Sequence, residues 1–254
     1  MTEKTKRTAP RRILEIMEAI CLSPRTATAS NLARSLHIPL PTVYRFLDTL
    51  GEDGFIATGP SGTFMPGDRL RSLVFDCLQH EPAVTQRRAI LSRLSKRLNE
   101  TVSLSIPQGT ELVYFDRLES HWPFQINLKI GDSLPLHCCA SGKLYLSSFD
   151  LDDAISAFRN LRPGKRARNT IVSVRKFRTE LTRIRRQGFA LDNEEWFDDM
   201  VGASVPIRNR QGALCACLST HALSTRKPLS VLEEQVTDMQ TAARDLETLF
   251  FPDP

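Results

Sequence analysis

The stretch Asn31–Ile56, N-L-A-R-S-L-H-I-P-L-P-T-V-Y-R-F-L-D-T-L-G-E-D-G-F-I, decides how the rest of the chain is read. Leu32, Ala33 and Leu36 fall on one face of a short helix that Thr28 or Ser30 can cap, and the chain then breaks at His37 to Pro41. Pro41 suits a first helical position because its missing N–H has no partner there anyway. Val43, Phe46, Leu47 and Leu50 then recur at i, i+3, i+4 and i+7, which buries those four and turns Thr42, Tyr44, Arg45 and Asp48 outward. Two helices joined by so tight a turn are arranged to lay the second one into the major groove of duplex DNA, which is wide enough for one α-helix.

Ile13, Ile16, Met17 and Ile20 place an apolar stripe on an earlier helix that ends before Ser23-Pro24. On the other side, strand-like pieces at Phe55 to Thr58 and Thr63 to Met65 flank Gly59-Pro60-Ser61-Gly62, a hairpin turn. Three helices and a hairpin describe a winged helix-turn-helix over residues 1–67. Within it Ser30, Arg34, Thr42, Tyr44, Arg45, Ser61 and Thr63 are the candidate DNA contacts. Arg45 suits a guanine edge or a phosphate, the hydroxyls donate and accept, and Ser61 to Thr63 form the tip of the wing. Arg7, Arg11, Arg12 and Arg34 would neutralise phosphates and make affinity salt-dependent. A small packed domain used for protein contacts is the plainer reading. It is disfavoured because an inert face would carry Glu and Lys where this one keeps Thr, Tyr and Arg together.

Leu70, Leu73, Val74 and Cys77 repeat the helical spacing with nothing near in sequence to pack on, so residues 68–80 read as a linker helix that buries its stripe on a partner chain. Glu81-Pro82 marks a boundary. Residues 81–254 then carry a helix from about Pro82 to Asn99, strands at Val102 to Ile106 and Leu112 to Phe115, and alternation at Ile126, Leu128 and Ile130. Helical patterns return after Ser141 and around Thr179 to Gln187. Asn209-Arg210-Gln211-Gly212 joins two strands in a hairpin, and Leu232, Val236, Met239, Ala243 and Leu246 mark a C-terminal helix. The second domain is therefore α+β, a sheet with helices outside it.

Composition agrees. The 254 residues are 41% hydrophobic and 25% charged, which excludes whole-chain disorder, and no apolar run is long enough for a membrane span or a signal peptide, so a cytoplasmic protein is expected. Six cysteines are too sparse for a disulfide scaffold, and reduced thiols are the default. The net charge of +5 is unevenly placed: residues 1–50 carry +4, but residues 159–188 carry +10. That second block, with an acidic segment after it, is read as a solvated face.

Here the chain resembles the IclR family of bacterial transcription regulators. The resemblance runs through Asn31 to Ile56, then L-P-L-H-C-C-A-S-G-K (Leu134 to Lys143), Q-G-F-A-L-D-N-E-E (Gln187 to Glu195) and S-V-P-I-R-N-R-Q-G-A-L (Ser204 to Leu214), in the family's order and spacing. It implies a winged-helix domain, a linker helix and a GAF-like effector-binding domain, assembled as a homodimer or tetramer on a palindromic operator. It also implies an effector cavity: Ala140 and Ser141 at a helix start, Asp192, Gly202, Ser219 and His221 around the cavity, Ile126 and Leu134 as apolar walls. The residue types suit a small organic or aromatic acid, since N–H groups at a helix start receive a carboxylate and Asp192, Ser219 and His221 offer polar partners. For Asp192 a loop or helix cap, and for His221 a satisfied strand-end role, are the plainer alternatives.

There are departures. His37 stands where the family has Gly, Leu40 where it has a basic residue, and Phe64-Met65-Pro66-Gly67 where it has Tyr-x-Leu-Gly. Gly202 replaces a frequent cysteine, which enlarges or reshapes the cavity, and Trp196 replaces a frequent His.

Rival readings are an enzyme with Cys138 or Cys139 as nucleophile, His137 or His221 as base and Asp192 as orienter, and a metal site from His137, Cys138, Cys215 and Cys217. Neither cysteine sits in a nucleophile motif, and Cys-x-Cys on a strand lacks the paired spacing of a structural zinc site. No catalytic residue, metal or cofactor is expected. A third reading keeps the DNA-binding domain and gives the second domain oligomerisation alone. The expectation is a ligand-responsive regulator, with repression as the working sign in a family that also contains activators.

Overall fold

The computed structural model describes residues 8–22, 26–59, 62–79, 83–108, 111–122 and 128–252. The chain divides into two units, residues 1–81 and 82–254. Ser23-Pro24, the hairpin tip at Pro60 and Ser61, Glu81-Pro82, Arg7 and Ile126 lie outside the described residues.

In the first unit α1 (Ala9–Leu22), α2 (Ala29–Leu36) and α3 (Leu40–Glu52) precede a two-stranded antiparallel wing, β1 (Ile56–Thr58) and β2 (Phe64–Pro66). Thr28 is the cap of α2: its Oγ1 accepts from the Asn31 N–H at 3.3 Å, satisfying one of the helix's orphan donors. His37 ends α2 in the left-handed region at φ 53°, and Ile38 N–H closes onto Ala33 O at 3.1 Å. The apolar stripes converge as their spacing requires, with Ile16, Ile20, Leu32, Val43, Phe46, Leu47, Leu50 and Ile56 in one core. Phe64 N–H donates to Ala27 O at 2.8 Å, tying the wing to the start of α2. The helix α4 (Asp68–Gln79) follows, with Leu73 46% and Val74 50% exposed.

The second unit is built on a five-stranded antiparallel sheet of order β4-β3-β7-β6-β5, with β3 (Val102–Gln108), β4 (Glu111–Leu118), β5 (Ala190–Asn193), β6 (Met200–Arg208) and β7 (Leu214–Leu223). The helices α5 (Ala83–Leu98) and α10 (Val236–Phe250) pack on one face, where Arg87 Nε meets the Asp116 carboxylate at 2.6 Å and Phe115 meets Phe250. On the other face lies α6 (Ala140–Ser147), backed by α7 (Leu151–Asn160) and α8 (Val174–Gln187); Phe158 and Phe177 stack at 4.0 Å between the last two. A short helix, α9 (Leu229–Glu234), precedes α10. Gly142 lets α6 approach closely, since a Cβ there would stand 2.5 Å from Leu136 Cα.

Two expectations are corrected. Leu128 to Ile130 are not strand. The Asp132 carboxylate accepts from Lys129 N–H at 2.7 Å, and Gly131 at φ +92° and Asp132 exchange backbone hydrogen bonds with Tyr114, so a turn beside β4 outcompetes the alternating pattern. Asp192 lies in strand β5 rather than in a loop or helix cap, paired opposite Gly202.

Candidate nucleic-acid interface and sensory site

On α3 the four apolar side chains are buried and Tyr44 is 50% exposed, with Arg45 also outward and Thr42 partly exposed. The Arg45 guanidinium rests 5.4 Å over the ring of Phe46. Such stacking holds a long side chain near its own helix without consuming its five donors. Ser30 and Arg34, four residues apart on α2, are exposed on one side. Thr63 is partly exposed beside the wing, while Ser61 falls outside the described residues.

In the second unit, strand register explains what shares a face, because side chains alternate along a strand and directly paired residues point the same way. Asp192, Gly202 and His221 form one row across β5, β6 and β7. The next row on that face is Ala190, Ser204, Ser219, Ser103 and Arg117, and the one after holds Pro206, Cys217, Ser105 and Tyr114. Tyr114 and Arg117 are three apart and would ordinarily face opposite ways. A bulge at Phe115, which has no partner in β3, restores Arg117 to the face of Tyr114.

The start of α6 caps this face. Ser141 Oγ lies 3.1 Å from Ser204 Oγ, and Ala140, Ser141 and Leu134 are buried. The Gly142 N–H is already taken by Cys139 Sγ at 3.2 Å, so the helix start offers fewer open donors than its sequence suggested. Asp192 Oδ1 accepts from Glu195 N–H at 2.8 Å, whereas Asp192 Oδ2, Ser105 Oγ and the Tyr114 hydroxyl are buried with no hydrogen-bond partner. Orphaned polar atoms cost free energy, so three of them on one sheet face leave hydrogen-bonding capacity there for water or another polar group.

Behind Asp192 lies a charge cluster. Lys143, fully buried, binds Glu195 and, at 3.1 Å, Glu180, which in turn takes two hydrogen bonds from Arg183. Burial opposes the Lys143 ammonium, but Glu195 and Glu180 outweigh it and raise its pKa. Burial, against the pull of Lys143 and with the push of Glu195, raises the Asp192 carboxyl to about 7.

His221 completes the row. Its ring meets Trp196 edge-on with centroids 5.9 Å apart, and burial followed by the charge of Arg117 pushes its pKa down to about 4. A Cβ on Gly202 would stand 2.9 Å from His221 Cδ2, so the imidazole occupies the space that the glycine leaves. The two departures at Gly202 and Trp196 therefore meet at one ring.

A cavity of about 170 Å³ opens at the end of β7, between Arg117, Trp122, Leu128, Met200, His221 and Arg226. His221 belongs to its wall; Leu134, Ala140, Ser141, Asp192 and Ser219 are buried and do not line it. Arg117, Trp122, Tyr114, Ser103 and Ser204 were not singled out from sequence. Arg117 follows Asp116 at the end of an apolar run, and a charge pair there is the one signal that could have drawn attention.

The buried thiols argue against nucleophilic chemistry. Burial pushes Cys138 to about 12 and raises Cys139 well above the ordinary thiol value, the reverse of activation. His137 Nε2 is bonded to Gly164 O at 3.1 Å. No group of three or more metal-ligating side chains occurs among the described residues.

A winged helix-turn-helix followed by an α+β unit whose capped sheet face holds orphaned polar groups is the architecture of a one-chain transcription regulator. The helix-turn-helix model of the IclR type matches residues 9–60, and the model for the C-terminal region of bacterial IclR transcriptional regulators matches residues 75–248. The chain belongs to the IclR family. It is 27% identical over 240 residues, 94% of each chain, to a probable transcriptional regulator, SauR, of Cupriavidus necator. Among solved structures, the IclR protein of Thermotoga maritima superposes with a TM-score of 0.62 at 24% identity, covering 94% of this chain and 96% of that one. An IclR homologue of Microbacterium hydrocarbonoxydans, solved with 4-hydroxybenzoate, superposes with a TM-score of 0.57 at 22% identity, covering 95% and 98%.

Proposed function

We propose that this protein is a cytoplasmic, non-enzymatic repressor that binds a palindromic operator as a homodimer or tetramer and responds to a small carboxylic acid. Residues 1–67 are the DNA-binding domain, residues 68–80 the linker helix and residues 81–254 the effector and oligomerisation domain. Thr42, Tyr44 and Arg45 read bases in the major groove; Ser30, Arg34, Ser61 and Thr63 hold the backbone. The exposed stripe of α4, with Leu73 and Val74 outward, supports a linker that pairs with a second chain.

The observation that carries the DNA reading is the outer face of α3, where Tyr44 and Arg45 stand in solvent above four buried apolar side chains. The effector reading rests on the α6-covered sheet face, where Asp192, Gly202, Ser219 and His221, with Ala140, Ser141, Leu134 and Ile126 around them, supply polar partners and apolar walls. An acid that prefers one arrangement of the two chains shifts the spacing of the recognition helices and so releases the operator. Selection of DNA from a random pool, followed by sequencing, tests the first part. Recovery of a palindromic consensus is the expected result, and retention of no sequence at low salt overturns it.

A further inference from the structure

Six of the side chains of α8 are cations: Arg175, Lys176, Arg178, Arg183, Arg185 and Arg186. Its one carboxylate, Glu180, is turned inward to buried Lys143 at 3.1 Å. The acidic segment that follows in sequence does not balance this helix. Glu194, Asp198 and Asp199 converge on Arg168, and Glu195 is engaged by Lys143. Three of the cations have partners close at hand: Arg178 meets Asp152 of α7, Arg183 meets Glu180, and Arg185 donates to Ser147 O and Phe149 O. Arg175, Lys176 and Arg186 are exposed and have no ion pair among the described residues.

Phe177, Leu181 and Ile184 fix the buried side of α8, and the side opposite them carries Arg175, Thr179, Thr182 and Arg186, all exposed. The stack of Phe158 on Phe177 brings exposed Arg159 beside the first turn. Thr179 and Thr182 donate back to carbonyls of their own helix, so the guanidiniums are the donors this row shows to solvent. From Arg175 to Arg186 the row is about 16 Å long, the axial length of about five phosphates on one DNA strand.

The helix itself is not served by this arrangement. Arg175 and Lys176 stand in the first turn, where the dipole disfavours cations, and neither an acid nor a side-chain cap offsets them. Arg175 and Arg178, and likewise Arg183 and Arg186, place like charges three residues apart. An external polyanion supplies the counter-charge that the fold does not. A protein partner needs an apolar centre to its interface, which this row lacks, and a second copy of the same face brings like charges together. A phosphodiester backbone needs only cations in a line, and guanidinium meets phosphate with two parallel hydrogen bonds.

We propose that the outer face of α8, through Arg175, Lys176 and Arg186, is a second contact for duplex DNA, gripping the phosphate backbone without reading sequence. It adds to the groove contacts of α3 and does not depend on which bases they read.

The test uses the full-length protein and a fluorescein-labelled duplex of about 40 base pairs and scrambled sequence, read by anisotropy between about 50 and 200 mM salt. The triple variant Arg175→Gln, Lys176→Gln, Arg186→Gln is compared with Arg93→Gln, Lys96→Gln, Arg97→Gln, which removes the same charge from exposed positions on α5. The α8 variant should bind about tenfold or more weakly at about 100 mM salt, and its slope of log affinity against log salt should be shallower by about two to three. The α5 variant should change the slope by less than about one. Equal slopes for wild type and the α8 variant overturn the proposal, as does an equal loss in both variants, which would assign the effect to net charge. In an Arg45→Ala background the α8 substitutions should weaken binding by the same factor; disappearance of their effect there would mean that they act through the recognition helix, and would overturn it too. If the α8 variant loses a labelled poly-glutamate peptide while keeping wild-type duplex affinity, the face serves an acidic protein and the proposal fails. Mapping of phenylglyoxal modification by mass spectrometry needs no variant: the duplex should protect Arg175 and Arg186 in the wild-type protein, and full reactivity in its presence counts against the contact.

Discussion

The imidazole of His221 lies against the bare Cα of Gly202 in the adjacent strand, so closely that a methyl group there would stand 2.9 Å from the ring and 3.1 Å from Thr220 O. Gly202→Ala should therefore destabilise the second domain by about 1–3 kcal/mol, since the ring must leave its place against Trp196. In a His221→Ala background the ring contact disappears, and most of that cost should vanish. Urea unfolding of the two single variants and the double variant measures the coupling; additive losses would mean that the ring is not the obstacle.

Lys143 is expected to be far less replaceable than a surface lysine. Lys143→Met leaves Glu195 and Glu180 buried, with Arg183 to compensate Glu180 alone, and should cost about 3–5 kcal/mol. A loss under 1 kcal/mol in chemical denaturation would show that water reaches the cluster.

Asp192 gives the stability a pH dependence of known sign. Its folded-state pKa, about 7, lies above the roughly 3.9 of an unfolded aspartate, so the folded chain holds the proton in between. Its contribution is fully present below pH about 4 and is lost as pH rises through about 7, a change of a few kcal/mol at most. Asp192→Asn should thus gain stability relative to wild type as the pH is raised from 5 to 8. A constant difference between the two proteins over that range would show that Asp192 is ionised throughout.

His37 occupies a left-handed helix end at φ 53°, where a side chain is tolerated at a cost and glycine is at ease. His37→Gly should raise the stability of the first domain by several tenths to about 1 kcal/mol, read from its thermal midpoint. A lowered midpoint would mean that the imidazole makes a contact worth more than the strain.

Arg45→Ala should weaken binding to the selected operator by about 1–3 kcal/mol, roughly 10- to 100-fold, with an unchanged circular dichroism spectrum. If Arg45 reads a base, the loss is concentrated on one operator position. A uniform loss across sequences, with a shallower salt dependence, would instead assign it to a phosphate.

The helix-turn-helix was legible because each of its features is local: Val43, Phe46, Leu47 and Leu50 declare one face within eight residues, and the break at His37 to Pro41 leaves no other path. The sheet face beneath α6 was legible in part. Gly202 and Trp196 stood out as departures, but their meeting at His221 depends on strand register, which sequence spacing does not contain. Four-residue β5 was hidden because Asp192-Asn193-Glu194-Glu195 has the composition of a loop, and its partner β6 is what makes it a strand. Leu128 and Ile130 alternate like a strand, yet the Asp132 turn wins because it satisfies backbone groups of Tyr114. Arg117 was missed for a similar reason: Leu112 to Phe115 reads as an unbroken apolar run, and nothing in it announces an extra residue.

That extra residue, Phe115, is a length of chain that β4 carries and β3 does not match. Deleting it would leave Tyr114, Asp116 and Arg117 on the faces they now hold, because Tyr114 already stands opposite Ser105 and Asp116 opposite Leu104, the next residue of β3. A change of one amino acid in chain length is thus absorbed within β4 at this point, and its cost falls on the ring that Phe115 sets against Phe250 rather than on the charges of either sheet face.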